Sequence, residues 1–116
     1  MSILPEPRQN IRLAIYLGPD HRTLMTNYSV NMSTGGVFIE TDSIRPIDTP
    51  LVIKFKLPDD DKIITCKARV AWTNEPGNLK NYSLPTGMGI QFLDLSLENL
   101  QAIRNFIKGC DFTPIW

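Results

Sequence analysis

The chain has 116 residues, with twelve basic and twelve acidic side chains and a formal net charge of zero. This length corresponds to one domain that buries roughly 65% of its unfolded surface, enough for a core without disulfides or metals. Proteins that bind DNA or RNA along the phosphate backbone carry a basic surplus, so the balanced charge argues against that class. Two or three arginines still suffice for a local anion site.

The sequence favours a cytoplasmic protein without a membrane span. Prolines and arginines interrupt every apolar run near the N-terminus, so no signal peptide is predicted. The longest apolar stretches are far shorter than the ~20 residues that a membrane helix needs. Cys66 and Cys110 lie far apart and lack metal-ligand spacing, so we expect Cys66 to be a buried thiol inside a strand.

Alternating apolar residues predict six short strands after a polar, proline-containing segment. Residues 1–12 contain Pro5 and Pro7 and are expected to form a flexible arm. The strands are predicted over 13–17, 24–32, 37–41, 51–57, 64–72 and 87–92. Strands of this length separated by turn signals indicate a small antiparallel barrel.

The alternation also assigns side chains to faces. In the second strand one mostly polar face is predicted to hold Met25, Asn27, Ser29, Asn31 and Ser33, which suits the rim of a binding site. In the fifth strand the inward face is predicted to hold Ile64, Cys66, Ala68, Val70 and Trp72. Gly87 and Gly89 alternate in the last strand, where the missing side chains permit close backbone approach.

One helix is predicted over 97–109, after the last strand. Ser96 is the expected N-cap and Gly109 the expected end. The apolar stripe that should cover an open end or face of the sheet comprises Leu97, Leu100, Ile103, Phe106 and Ile107. The predicted fold is therefore all-β with one terminal helix: a six-stranded antiparallel barrel with its C-terminal helix over 13–109, and a tail over 110–116.

No residue pattern indicates catalysis or a metal. His21 is the single histidine and lies in a turn beside Asp20 and Arg22. No serine has the glycine context of a nucleophile elbow, and no cysteine or histidine spacing suits zinc. The Asp59-Asp60-Asp61 run lacks the glycine and distal glutamate of a calcium loop. We therefore expect neither an enzyme nor a metal or cofactor site.

Two short motifs carry the functional prediction. Arg8 and Arg12 stand four residues apart on the arm, and Asn31-Met32-Ser33-Thr34-Gly35-Gly36 connects the second and third strands. Either motif alone is weak, because a solvated arm and a tight turn would account for them. Their joint occurrence is much rarer and indicates that the arm and the turn close on a small anion.

These residues resemble the PilZ family of cytoplasmic bacterial receptors for cyclic di-GMP. Arg8 and Arg12 match the family's R-x-x-x-R, and Asn31, Ser33 and Gly36 match its (D/N)-x-S-x-x-G. The strand count, the terminal helix and the segment 87–92 agree with the family's six-stranded barrel. The resemblance extends over about residues 6–108 and implies a stand-alone PilZ domain.

The resemblance implies a role for each of these residues toward cyclic di-GMP. Arg8 and Arg12 would contact its guanines and phosphates, and Asn31 and Ser33 would hydrogen-bond a guanine edge. Gly36 would leave room for the ligand. Candidate neighbours are Gln9, Asn27, Ser29, Gly35 and Gly89. An arm that orders on binding would signal to a protein partner, whose identity the sequence does not give, from a monomer or weak dimer.

Departures from the family pattern leave two questions open. Gln9 stands where many members have a second arginine, and Pro7 precedes the motif, so the ligand stoichiometry of one or two stays undecided. The alternative function is a ligand-independent adaptor, suggested by the neutral charge, the proline-containing loop 42–50, Phe112 and Trp116. An oligonucleotide-binding barrel is disfavoured, because few aromatic residues are predicted on outward strand faces.

Overall fold

The computed structural model describes residues 9–58 and 62–109, with side chains from residue 11 onward. Within these residues there are seven strands and one helix. They are β1 (Gln9–Asn10), β2 (Ala14–Gly18), β3 (Met25–Met32), β4 (Gly36–Glu40), β5 (Pro50–Lys56), β6 (Ile63–Asn74), β7 (Gly87–Phe92) and α1 (Leu97–Gly109).

The strands β2 to β7 form a closed antiparallel barrel. The sheet order is β1-β3-β2-β5-β6-β7-β4, and an additional pairing of β3 with β4 closes the ring. The short strand β1 precedes the barrel strands in the chain and pairs with the last two residues of β3. The predicted six-stranded barrel with a terminal helix is therefore confirmed, and the six predicted strands match β2 to β7 to within two residues at each end.

Alternate residues of each strand fill the barrel interior. Ile15, Ile53, Ile64 and Val70 are each 0% exposed and belong to one continuous apolar cluster. Cys66 lies in the same cluster, as predicted for a buried thiol. Because burial of such side chains is the main favourable term in folding, this interior fixes the wall on which the outward residues stand.

Helix α1 begins at its predicted cap and packs against the same interior cluster. The Asn99 amide donates to Ser96 Oγ at 3.0 Å, and Ile103 and Ile107 are buried in the core. Leu97 was predicted on the apolar stripe but is 81% exposed. The physical reason is helical geometry: Leu97 lies about two turns before the exposed Arg104 and so shares its solvent-facing side.

A bulge in β3 overturns the predicted polar face. The pairing of β3 with β4 shifts register between Ser29 and Asn31, so that Ser29 pairs with Ile39 while Asn31 pairs with Phe38. One extra residue reverses the alternation downstream of it. Ser29 therefore points into the barrel, whereas Asn31 lies on the outer surface, and the two do not share a face.

A second bulge, in β6, corrects the prediction for Trp72. The pairing of β6 with β7 shifts between Val70 and Trp72, which places Trp72 opposite Gly89. Val70 stays in the core, but the Trp72 indole lies on the outside, with its ring centroid 5.2 Å from that of Phe38. Trp72 therefore does not belong to the inward face that holds Cys66.

Candidate functional site

The pairing of β1 with β3 brings residues 9–12, the arginine segment, beside Asn31. Asn10 lies opposite Asn31 in the antiparallel register, and the Ile11 amide donates to the Val30 carbonyl at 3.1 Å. The side chain of Ile11 is buried in the core. The arm predicted over 1–12 thus ends in a segment that pairs with the barrel from residue 9, while Arg8 lies outside the described residues.

Ser29 anchors this segment from inside the barrel. Its hydroxyl accepts from the Leu13 amide at 2.8 Å and donates to the Ile11 carbonyl, and the residue is 0% exposed. Both capacities of the hydroxyl are used on backbone that flanks Arg12. Ser29 therefore positions the chain that carries Arg12, and we do not include it among the groups that face a ligand.

Arg12 projects outward between an aromatic ring and a carboxylate. Its guanidinium carbon lies 4.7 Å from the centroid of the Tyr28 ring, within the range of a cation–π contact. Its Nη1 lies 3.7 Å from Glu40 Oε1, and both charged side chains are more than half exposed. Tyr28 and Glu40 are themselves paired across β3 and β4, so both contacts come from the outer wall of the barrel.

An open pocket of about 460 Å³ lies beside Arg12. Its lining consists of Arg12, Tyr28, Glu40, Thr41, Asp42, Pro85 and Thr86. Volumes of a few hundred cubic ångströms are typical of small-molecule sites. Within the part of the chain that the structure describes, this lining carries one positive and two negative side chains.

The rim of this pocket at Pro85 and Thr86 is shaped by a buried asparagine. Asn74 is 0% exposed, and its amide group donates to the Asn81, Leu84 and Pro85 carbonyls at 3.0 to 3.2 Å. Its carbonyl oxygen accepts from the Lys80 and Asn81 amides at 2.8 and 3.1 Å. One side chain thus satisfies backbone groups across residues 80–85, where the loop has no strand partners.

The turn between β3 and β4 holds the remaining motif residues. The Ser33 amide donates to the Gly36 carbonyl at 2.9 Å, and Ser33 Oγ accepts from the Gly35 amide at 3.2 Å. Ser33 is 1% exposed. The Gly35 carbonyl in turn accepts from the Phe92 amide at 3.0 Å, so the turn is bonded to the end of β7.

Two predicted site glycines are required by the barrel wall itself. A Cβ at Gly36 would lie 2.1 Å from the Ile90 carbonyl oxygen, and a Cβ at Gly89 would lie 2.0 Å from Trp72 Nε1. No side chain fits at either distance. Gly36 therefore permits the close approach of β4 to β7, and Gly89 is the floor on which the Trp72 indole lies.

The predicted site residues are only partly brought together. Asn31 and Arg12 lie on the outer surface, with Ser33, Gly35 and Gly36 in the turn that follows Asn31. Gln9 is in β1, opposite Met32, although its side chain lies outside the described part. Asn27 is half-buried on the inward side of the β3 alternation, toward the barrel end away from Asn31.

Sequence reasoning did not identify Tyr28, Glu40, Pro85 and Thr86 as part of this region. Tyr28 and Glu40 meet through a pairing that depends on the bulge between Ser29 and Asn31. Pro85 and Thr86 reach the pocket because Asn74 folds their loop against the barrel. Local patterns carry little signal for either relationship, although an aromatic residue before the asparagine motif and an acid after its glycine are both visible in the sequence.

The described residues include neither a metal-binding cluster nor a membrane-spanning helix. Among residues 9–58 and 62–109, no three His, Cys, Asp or Glu side chains are grouped so that they could hold a metal ion. Over the same ranges, α1 is the one helix, and its 13 residues are too few and too polar to cross a bilayer.

Comparisons with known proteins agree with this architecture. The sequence profile of the PilZ domain matches residues 5–109, whereas a search of curated proteins found no match. The Bacillus subtilis inhibitor of motility (MotI/DgrA) has a similar fold, with a TM-score of 0.72 and 18% sequence identity over 93% of this chain. This chain spans about half of that protein, 51% of its length.

The PilZ domain of CeSA from a cellulose-synthesizing bacterium is also similar in structure. Its TM-score is 0.57 with 19% identity, and the match covers 88% of this chain and 95% of the CeSA domain. Identities this low establish the fold alone. The profile match, however, extends over nearly the whole barrel, its helix and both motifs. The chain therefore belongs to the PilZ domain family, as its two motifs indicated.

Proposed function

We propose that this chain is a cyclic di-GMP receptor that passes ligand binding to a protein partner through its N-terminal segment. PilZ domains form a family of cyclic di-GMP receptors and adaptors and are typically not enzymes. The observation that carries the proposal is the register of β1 with β3, in which Asn10 of the arginine segment lies opposite Asn31 of the second motif. The segment that leads into Arg12 is therefore adjacent to Asn31, which supports a shared site.

The chemistry of the exposed groups suits this ligand. Cyclic di-GMP presents two phosphates and two guanines, and an arginine can donate a bidentate pair to guanine O6 and N7 or to a phosphate. Arg12 is 66% exposed at its side chain and is held by contacts that are weak in water, so it can reorient toward a ligand. Asn31 offers amide donors and an acceptor to a guanine edge from the same outer surface.

The arm supplies the route to a partner. Residues 9–11 are tied to β3 by backbone hydrogen bonds, so a change at Arg12 would be transmitted to the backbone N-terminal to it. Arg8 is assigned to the ligand by family resemblance, since it lies outside the described residues. The partner is a cytoplasmic protein of undefined identity, and the receptor is expected to be a monomer or weak dimer.

Isothermal titration with cyclic di-GMP tests the proposal. We expect saturable binding with a stoichiometry of one or two read from the same curve, and no comparable heat with cyclic di-AMP. Arg12→Ala should weaken binding about 10- to 150-fold, because hydrogen bonds to charged groups contribute roughly 1.5–3 kcal/mol. Asn31→Ala should weaken it by less, since its hydrogen bonds are neutral.

A matched control is available at Arg22. This arginine is also exposed but lies in the connection between β2 and β3, away from both motifs. Arg22→Ala should leave the affinity unchanged. If the wild-type chain gives no heat and no change in tryptophan fluorescence at high ligand concentration, the receptor function is wrong and the ligand-independent adaptor takes its place.

A further inference from the structure

The guanidinium of Arg12 is shared between two neighbours of opposite character. Tyr28 offers a neutral ring face at 4.7 Å, whereas Glu40 offers a carboxylate at 3.7 Å from Nη1. An anionic ligand that binds Arg12 would use the same positive charge that now faces Glu40. The tyrosine ring is compatible with such a ligand, because a guanidinium on a ring face keeps its edge donors available.

From this arrangement we propose that Glu40 competes with the anionic ligand for Arg12 and thereby lowers the affinity of the site. The inference rests on the proposed function and adds to it a residue, outside both motifs, that sets how tightly the dinucleotide binds. Tyr28 has the opposite role: it is a positioning residue that keeps the guanidinium at the pocket when the ligand displaces the carboxylate.

The register of the barrel fixes the backbone position of Glu40 beside this contact. Glu40 lies opposite Tyr28 on one side and opposite Gly87 on the other, so its backbone is fixed in the wall between β3 and β7. Its side chain lines the same open pocket as Arg12. An anionic ligand that reaches Arg12 in that pocket would therefore meet Glu40 as a competitor for the same guanidinium.

The charge of the pocket points the same way. Among the described residues, its lining includes the carboxylates of Glu40 and Asp42 beside the guanidinium of Arg12. The Glu40 carboxylate, 3.7 Å from Arg12 Nη1, offsets part of the positive charge that an anionic ligand would use.

Two other roles for Glu40 predict that its removal would lower the affinity for the ligand. If the carboxylate accepted hydrogen bonds from the N–H groups of a guanine edge, its removal would weaken binding. If it held Arg12 in the productive orientation, its removal would also weaken binding. The exposure of the pair argues against strong positioning, since exposed ion pairs restrict side chains little.

The experiment compares cyclic di-GMP titrations of the wild-type chain, Glu40→Gln, Tyr28→Leu and Asp42→Asn. Glutamine keeps the shape of Glu40 and removes the charge. We expect Glu40→Gln to bind about 3- to 10-fold more tightly and Tyr28→Leu to bind more weakly. Asp42→Asn removes the other carboxylate of the pocket and reports the general field there, so it should tighten binding by less than Glu40→Gln does.

A double variant separates competition for Arg12 from repulsion of the ligand. In an Arg12→Ala background, titrated at ligand concentrations that saturate the weakened complex, Glu40→Gln should no longer improve binding. The proposal is overturned if Glu40→Gln leaves binding unchanged or weakens it, if Asp42→Asn gives an equal gain, or if the gain persists without Arg12.

These outcomes are distinguishable from failure of the proposed function. If the wild-type chain binds cyclic di-GMP and Glu40→Gln binds it with the same affinity, the receptor function stands and this inference alone is wrong. A wild-type chain that does not bind cyclic di-GMP removes both.

Discussion

Gly36 of β4 passes so close to Ile90 of β7 that a Cβ at position 36 would lie 2.1 Å from the Ile90 carbonyl oxygen. This glycine is part of the ligand motif, yet the contact that excludes a side chain there is within the barrel. Loss of ligand binding in a Gly36 variant would therefore report a damaged wall before it reported a missing ligand contact.

Replacing Gly36 by alanine should lower the free energy of unfolding by about 2–3 kcal/mol, because backbone on both strands must move. Urea denaturation followed by tryptophan fluorescence measures this directly. Gly109→Ala is the control, since a Cβ there meets nothing within 4 Å. Equal stability of the two variants would mean that β4 and β7 are further apart than the structure has them.

Replacing Ser29 by alanine should destabilise the chain by about 1–3 kcal/mol, because a buried amide and a buried carbonyl lose their partner. The effect should concentrate at the N-terminal segment. Hydrogen exchange should accelerate at the Leu13 amide, which now donates to Ser29 Oγ, while amides of β6 stay protected. Ser83→Ala, at an exposed loop position, should change neither measurement.

Replacing Asn74 by alanine should cost about 3 kcal/mol, since five hydrogen bonds to the 80–85 backbone are lost at once. The loop would loosen at the pocket rim, so ligand affinity should fall together with stability. Asn78→Ala serves as control, because Asn78 is exposed in the same loop. Limited proteolysis should give the Asn74 variant a cut within residues 75–86 that the wild-type chain and Asn78→Ala lack. The same cleavage pattern in all three would contradict this account.

The buried thiol of Cys66 makes alkaline pH unfavourable for folding. Burial and, to a smaller extent, the nearby Asp94 carboxylate together raise its pKa from 9.0 to about 12. The unfolded chain therefore loses the thiol proton above pH 9 while the folded chain retains it. The free energy of unfolding should fall between pH 9 and 12, by up to ~1.4 kcal/mol per pH unit.

Removal of the Cys66 thiol tests this pH dependence. In urea titrations, the free energy of unfolding of Cys110→Ser should be lower at pH 10 than at pH 8. The decrease should be smaller for Cys66→Val/Cys110→Ser, which lacks the buried thiol. The first variant should also react slowly with a thiol reagent at pH 8, because the thiolate is the reactive form. Rapid labelling of the folded protein would show that Cys66 is not buried.

Much of the fold was predictable because its signals are local. Alternating apolar residues located six strands, since a strand with one buried face repeats every two residues. The hydroxyl of Ser96 located the start of the helix, because it caps amides only three residues away. The paired motifs, together with the number of strands, were enough to indicate the PilZ family.

The tertiary structure decided which side of the wall each motif residue occupies. Bulges near Val30 and Ala71 turn Asn31 and Trp72 outward, and a bulge depends on the partner strand rather than on its own sequence. The contact of Arg12 with Tyr28 and Glu40 likewise requires three segments to meet on the outer wall of the barrel. Periodicity defines a residue's neighbours along one strand, but the charge and shape of a binding surface come from pairing between strands that are distant in sequence.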